Sequence, residues 1–104
     1  LTTNQRAYLR REAHSLKPVV QLGKQGLTPA LVTAVDTALT AHELIKVKLG
    51  EFKDEKTALA DEIAAATGAV LVAVIGNIAI LYREHPERDK RRIVLPAPGA
   101  RNAI

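Results

Sequence analysis

Two β-branched runs, Val70 to Ile75 and Ile78 to Arg83, are separated only by Gly76-Asn77. No other feature constrains the fold so tightly. A two-residue Gly/Asn connection between such runs closes an antiparallel hairpin, because these residues accept the backbone twist that a tight turn imposes. The chain therefore builds a sheet, and the rest of the sequence must supply its other strands and whatever covers it.

Leu44 to Leu49 alternates, with Ile45, Val47 and Leu49 on one side and Lys46 and Lys48 on the other. That is a strand with one covered and one wet face. Val19 to Leu22 reads as a shorter strand. Helical spacing fills the intervals. Thr2 or Thr3 caps a first helix with an apolar stripe at Leu9, Ala13 and Leu16, which Pro18 ends at or before Lys17. Thr28 caps a second, with Pro29 at its first position and Leu31, Val35 and Leu39 buried. Asp54 is the expected cap of a third, with a stripe at Leu59, Ile63 and Ala66 and a stop at Gly68. The order is αβαβαββ, an α/β fold of α+β-like, two-layer character around a four-stranded mixed sheet. The second and third helices are expected on one face. The other face stays partly open unless the first helix covers it.

Beyond Arg83 the chain turns polar from Glu84 to Arg92, and Ile93-Val94-Leu95-Pro96 can dock back on the domain. The expected boundaries are one domain over 1–96 and a loose tail over 97–104. The chain opens at Leu1 rather than Met, and trimming of a few leading residues is the expectation.

Charge is distributed unevenly. Residues 1–26 carry five bases and one acid, 27–68 four bases and seven acids, and 69–104 six bases and three acids. Basic ends around an acidic middle suit one face to a polyanion and keep another off it, although a merely basic surface fits the same count. With no cysteine, disulfides, thiolate zinc sites and thiol nucleophiles are all excluded, and a reducing cytoplasm is the expected setting. No apolar run is long enough to cross a bilayer.

The residues that could do chemistry do not converge. The single serine, Ser15, adjoins His14 in sequence, and helix neighbours point in different directions. His14, His42 and His85 lack two-ligand metal spacing. Asp54-Glu55 and Asp61-Glu62 are adjacent pairs that read as a solvated face, not as an acid and base. Neither a catalyst nor a metal or cofactor site is expected.

The turn Gly23-Lys24-Gln25-Gly26 is the strongest candidate. Two glycines let backbone N–H groups approach a phosphate unobstructed, and the helix starting after Thr28 presents its positive end nearby. Alone, these four residues fit a steric strand-to-helix turn at least as well. Their context adds charge: Arg6, Arg10 and Lys17 precede the turn, Lys46 and Lys48 share a strand face, and Arg83 closes the hairpin. Aromatic residues make up only 3%, namely Tyr8, Phe52 and Tyr82, so extensive base stacking is not expected beyond a single contact from Tyr82. The reading is an RNA-backbone clamp at Gly23, Lys24, Gln25 and Gly26 with those six bases around it. Set against it is a protein-binding adaptor that uses the acidic third helix (Asp54, Glu55, Asp61, Glu62) or the open sheet. DNA binding is a third possibility, with no recognition helix to support it.

Several strings together resemble a known family. They are Gln5-Arg6, Tyr8-Leu9-Arg10, Ala13-His14, Leu16-Lys17-Pro18, Leu22-Gly23-Lys24-Gln25-Gly26-Leu27, His42-Glu43-Leu44-Ile45-Lys46-Val47-Lys48, Ile75-Gly76-Asn77 and Leu81-Tyr82-Arg83. In this order, from Leu1 to about Pro96, the chain is similar to the YhbY family, stand-alone CRM domains (chloroplast RNA splicing and ribosome maturation). The resemblance implies a fold like the C-terminal domain of translation initiation factor three. It further implies association with precursors of the large ribosomal subunit, a role in ribosome biogenesis, and RNA contact through the Gly-x-x-Gly loop. A monomer is expected. Glu84 stands where relatives often have proline, which is expected to loosen the exit from the last strand, and the residues past Pro96 have no counterpart.

Overall fold

In a computed structural model that describes residues 1–50 and 56–96, the elements follow the order the periodicity predicts. They are α1 (Thr3–Ala13), β1 (Val20–Gln21), α2 (Pro29–His42), β2 (Leu44–Lys48), α3 (Lys56–Thr67), β3 (Val70–Ile75) and β4 (Ile78–Tyr82). The strands lie in the order β1-β2-β4-β3. β1 runs parallel to β2, while β4 is antiparallel to both β2 and β3, so the sheet is mixed.

Alternation along the strands divides the core in two. Ile45, Val47, Leu49, Ala79 and Leu81 turn to the face where α2 packs Leu31, Val35 and Leu39 and α3 packs Ala60 and Ile63. Leu44, Val72, Ile80 and Tyr82 turn the other way and meet Leu9 and Ala13 of α1. Each fully buried large aliphatic contributes about 1.5–3 kcal/mol relative to exposure, so the first cluster, with more of them, anchors the fold. α1 covers only part of its face: Lys48 remains exposed and Lys46 half-exposed beside it.

Several local features differ from expectation. α1 ends at Ala13, before Lys17 as expected but early enough to release Leu16, because the chain tightens there: His14 N–H donates to the Arg11 carbonyl at 3.2 Å and Leu16 N–H to that of Ala13 at 3.0 Å. Leu16 is consequently 38% exposed instead of completing the buried stripe. On α3, Ala66 faces solvent and Thr67 takes the buried place, its hydroxyl donating to the Ile63 carbonyl at 2.8 Å. Gly68 stops that helix with φ +68. Asp54, its expected cap, lies outside the described residues. In the hairpin only Gly76 takes a positive φ (+60), an arrangement that needs glycine at the first turn position and not at Asn77.

The segment after β4 returns over the α1 side. Ile93 and Leu95 pack against the second cluster, and Gln5 Nε2 donates to the Pro96 carbonyl at 3.0 Å. Holding it is Glu43, the residue between α2 and β2, whose side chain is 1% exposed. Its carboxylate accepts from the backbone N–H of His85 at 2.8 Å, of Ile93 at 3.0 Å, and of Arg92. Glu84, at the strand exit, pairs with Arg91 at 3.3 Å. The expected tail, 97–104, lies outside the described residues.

Candidate nucleic-acid interface

Gly23 to Gly26 form a closed turn. Gly26 N–H donates to the Gly23 carbonyl at 3.0 Å, and Gly26 sits at φ +68, a conformation other residues adopt at a cost. One of the amides expected to face a ligand is thus used by the turn itself. Those of Lys24 and Gln25, at the tip, donate to no carbonyl of the described residues. Directly after it, the Thr28 hydroxyl accepts from Leu31 N–H at 3.2 Å and Pro29 has no N–H to leave unpaired. The Ala30 amide and the positive end of α2 remain at the rim. A shallow depression of about 390 Å³ opens between the turn and this helix end, lined by Gln21, Lys24, Gln25, Thr28 and Ala30 among others.

Pairing of β1 with β2 decides which bases lie near this turn. Gln21 is in register with Lys48, and Leu22 N–H donates to the Lys48 carbonyl at 2.9 Å, so the turn leaves the sheet beside Lys48. Lys46 stands two residues back on the same face. Its ammonium donates to the His14 carbonyl at 3.3 Å, a cation at the negative end of α1. Arg10 and His14 line a depression with Lys46, and Arg10, Arg11 and His14 line a neighbouring one. Among the described residues, no acidic side chain lines these two depressions or the one under the turn. Lys48, Lys46 and Arg10 thus lie on the face left open by α1, with Arg11 and His14 beside them, while Lys24 lies on the turn that leaves the sheet next to Lys48 and borders the depression at the start of α2.

The other predicted bases lie elsewhere. Arg6 turns to the edge of the sheet, where its guanidinium donates to the carbonyls of Leu71 at 2.8 Å and Val72 at 3.2 Å, at the irregular step of β3. Arg83 lies on the opposite face, among α2 and α3. It donates to Asp36 Oδ1 at 2.6 Å, to Thr40 Oγ1 at 2.9 Å and to the Thr67 carbonyl at 2.7 Å. Lys17 borders a separate groove with Glu12, Leu16, His42 and Arg92. These three bases are placed apart because strand alternation and the direction of α1, neither visible as residue type, set where each side chain goes.

Tyr82, the candidate for a single stacking contact, is 4% exposed and packs in the α1-side core. Burial pushes its phenol up to about 12, with the carboxylates of Glu84 and Glu43 adding to the effect. Tyr8 is packed against the same cluster, and Phe52 lies outside the described residues. The Glu43 carboxyl is pushed up by burial, but the three amides it accepts from, with His85 nearby, bring it below the usual carboxylate range. It anchors the returning segment and is remote in role from the basic face. No sequence signal singles it out, since a glutamate before a strand ordinarily faces water.

No group of three His, Asp or Glu side chains among the described residues is placed to hold a metal ion. No described helix is long and apolar enough to cross a membrane.

Comparison with known proteins agrees with this architecture. The family model of the CRS1 / YhbY (CRM) domain matches residues 1–83. A Haemophilus influenzae protein named as an RNA-binding protein is 42% identical over 88 residues, which cover 84% of this chain and 89% of the relative. A Bacillus subtilis protein, named YqeI and as a probable RNA-binding protein, is 36% identical over 97 residues, covering 92% and 99%. Among solved structures, a Staphylococcus aureus protein whose description proposes RNA binding superposes with a TM-score of 0.75 at 38% identity, covering 92% of this chain and all of that one. With its fold, its motif order and four-fifths of its length accounted for by that model, the chain belongs to the CRS1 / YhbY (CRM) domain family.

Proposed function

We propose that this protein binds RNA, holding the backbone at the Gly23–Gly26 turn and along the face that carries Lys48, Lys46 and Arg10. We further propose that it acts as a cytoplasmic monomer on precursors of the large ribosomal subunit and catalyses no reaction. One observation carries the reading. A glycine turn with exposed tip amides sits at the positive end of α2 and leaves the sheet beside Lys48, so dipole, amides and full charges address one anion. The RNA-binding names of the relatives support the same partner.

Such a site grips phosphates and shape more than sequence. Lys24→Ala, and more strongly Lys24→Glu, should weaken binding to structured ribosomal RNA while leaving the melting temperature unchanged, because Lys24 is exposed. Unchanged binding at low salt would remove the turn from the interface. A gel shift with protein-free RNA tests the partner itself: complete absence of a shift would favour the adaptor reading, with Asp61 and Glu62 on the exposed side of α3 as its surface.

A further inference from the structure

We propose that the corner between α1 and the β3–β4 hairpin seats one unpaired nucleotide of a bound RNA, with the base over Ile75 and Ile78 and a phosphate between Arg10 and Lys46. The inference rests on the RNA-binding reading and adds to it a contact that senses a base, which a backbone clamp does not. Three observations carry it. Ile75 is 52% exposed, at the end of a strand whose other residues are buried or half-buried. Two adjoining depressions, of about 170 and 560 Å³, share Arg10, His14 and Ile75, and the smaller continues onto Ile78 and Lys46. The guanidiniums of Arg10 and Arg11 donate to no described residue, while Arg6 and Arg83 are both engaged.

An aliphatic floor ringed by cations matches the two parts of a nucleotide. The flat base covers apolar surface and the phosphate takes the charge. Apolar contact of this kind does for one base what aromatic stacking does in proteins better supplied with rings. Lys46 and Lys48, about 6.6 Å apart along β2, carry the backbone from this corner toward the glycine turn. An acidic peptide would satisfy the cations but offers no flat face for Ile75. A duplex keeps its bases stacked and out of reach, so the corner should favour loops and single strands.

The test uses the full chain and three probes at one salt concentration: a short single-stranded RNA, the same backbone without bases, and a duplex of equal length. Ile75→Ala should weaken the single-stranded RNA about fivefold and leave the abasic and duplex probes unchanged. Ile75→Arg should tighten the abasic probe yet still lose the preference for intact RNA. This opposite-signed effect remains readable should the alanine variant fold poorly. Photo-crosslinks from a thiolated uridine should map to residues 75–78 or to α1. Equal effects of Ile75→Ala on all three probes, or none, with Lys24→Glu still weakening every one, overturn the base seat and spare the RNA reading. Should Lys24→Glu and a Lys46→Glu/Lys48→Glu double variant also change nothing, the RNA reading itself fails. A polyglutamate peptide losing affinity with Ile75→Ala by the same factor as RNA would assign the corner to an acidic protein ligand and overturn the seat.

Discussion

Tyr82 ends β4 and Arg83 follows it, their side chains turned to opposite faces of the sheet, and each answers to a different rule. The Arg83 fork joins the side chain and carbonyl of Asp36 to the C-terminal carbonyl of α3 at Thr67, so it fastens α2 to α3 from the end of β4. A lysine retains the charge but can satisfy only part of that fan of acceptors. Arg83→Lys should therefore lower stability by about 1 kcal/mol, modest because Asp36 is largely exposed, and leave RNA affinity within error. Urea denaturation beside a binding isotherm reads both. Tyr82 presents the opposite case: its hydroxyl is buried with no hydrogen-bond partner among the described residues. Leaving a polar group unpaired costs free energy that phenylalanine avoids at nearly the same shape, so Tyr82→Phe should be neutral or stabilise by up to about 1 kcal/mol. Residue type announced neither role. An arginine in a basic chain reads as a ligand for phosphate, and a strand tyrosine as a platform. Only the register of β4 against β2 and β3 shows that one is tied into the protein and the other enclosed.

The elements themselves were legible where a local rule suffices. Thr2 and Thr28 cap their helices, Pro29 opens α2, Gly68 closes α3, and Gly76-Asn77 turns the hairpin, because each depends on only a few neighbouring residues. The docking of 93–96 was legible as an apolar segment after a polar stretch. What fastens it was not, since Glu43 acts on amides 42 to 50 residues away. That carboxylate sits at φ +65, a strained conformation for glutamate, which its three bonds offset. Glu43→Gln places an N–H₂ against a backbone donor and should cost about 2 kcal/mol at neutral pH. The sign with pH follows from the lowered carboxyl. Its stabilisation is fully present above the ordinary glutamate range and is lost as pH falls through the lower folded value. Chemical denaturation of both proteins should thus give parallel stabilities above about pH 5 and a gap that narrows in acid. A gap independent of pH would mean that Glu43 acts by shape and not by charge.

Taken together, the two faces of the sheet divide the work. α2 and α3 bury one face and stabilise the molecule, whereas α1 crosses the other and stops early, leaving Lys46, Lys48 and the glycine turn uncovered. The uneven charge along the chain hinted at such a division. It could not reveal that Arg10, Lys46 and Lys48 share one face while Arg6, Lys17 and Arg83 lie elsewhere, since that is a property of strand order. Binding governed by this face should weaken steeply with salt, as counterions released from RNA are returned to it. Each lysine that meets a phosphate contributes about 0.7–0.9 to the slope of log affinity against log salt. Charge alone does not identify which lysines those are, so location becomes the test. Lys46→Gln and Lys48→Gln should each reduce the slope by nearly one unit, and the double variant by nearly two. Lys90→Gln removes the same charge from the returning segment, where it is paired with Glu87 at 2.8 Å, and should leave the slope unchanged. Salt titrations of the parent protein and the four variants against one structured RNA decide the matter: equal reductions for all three single variants would mean that net charge, and not this face, attracts the RNA.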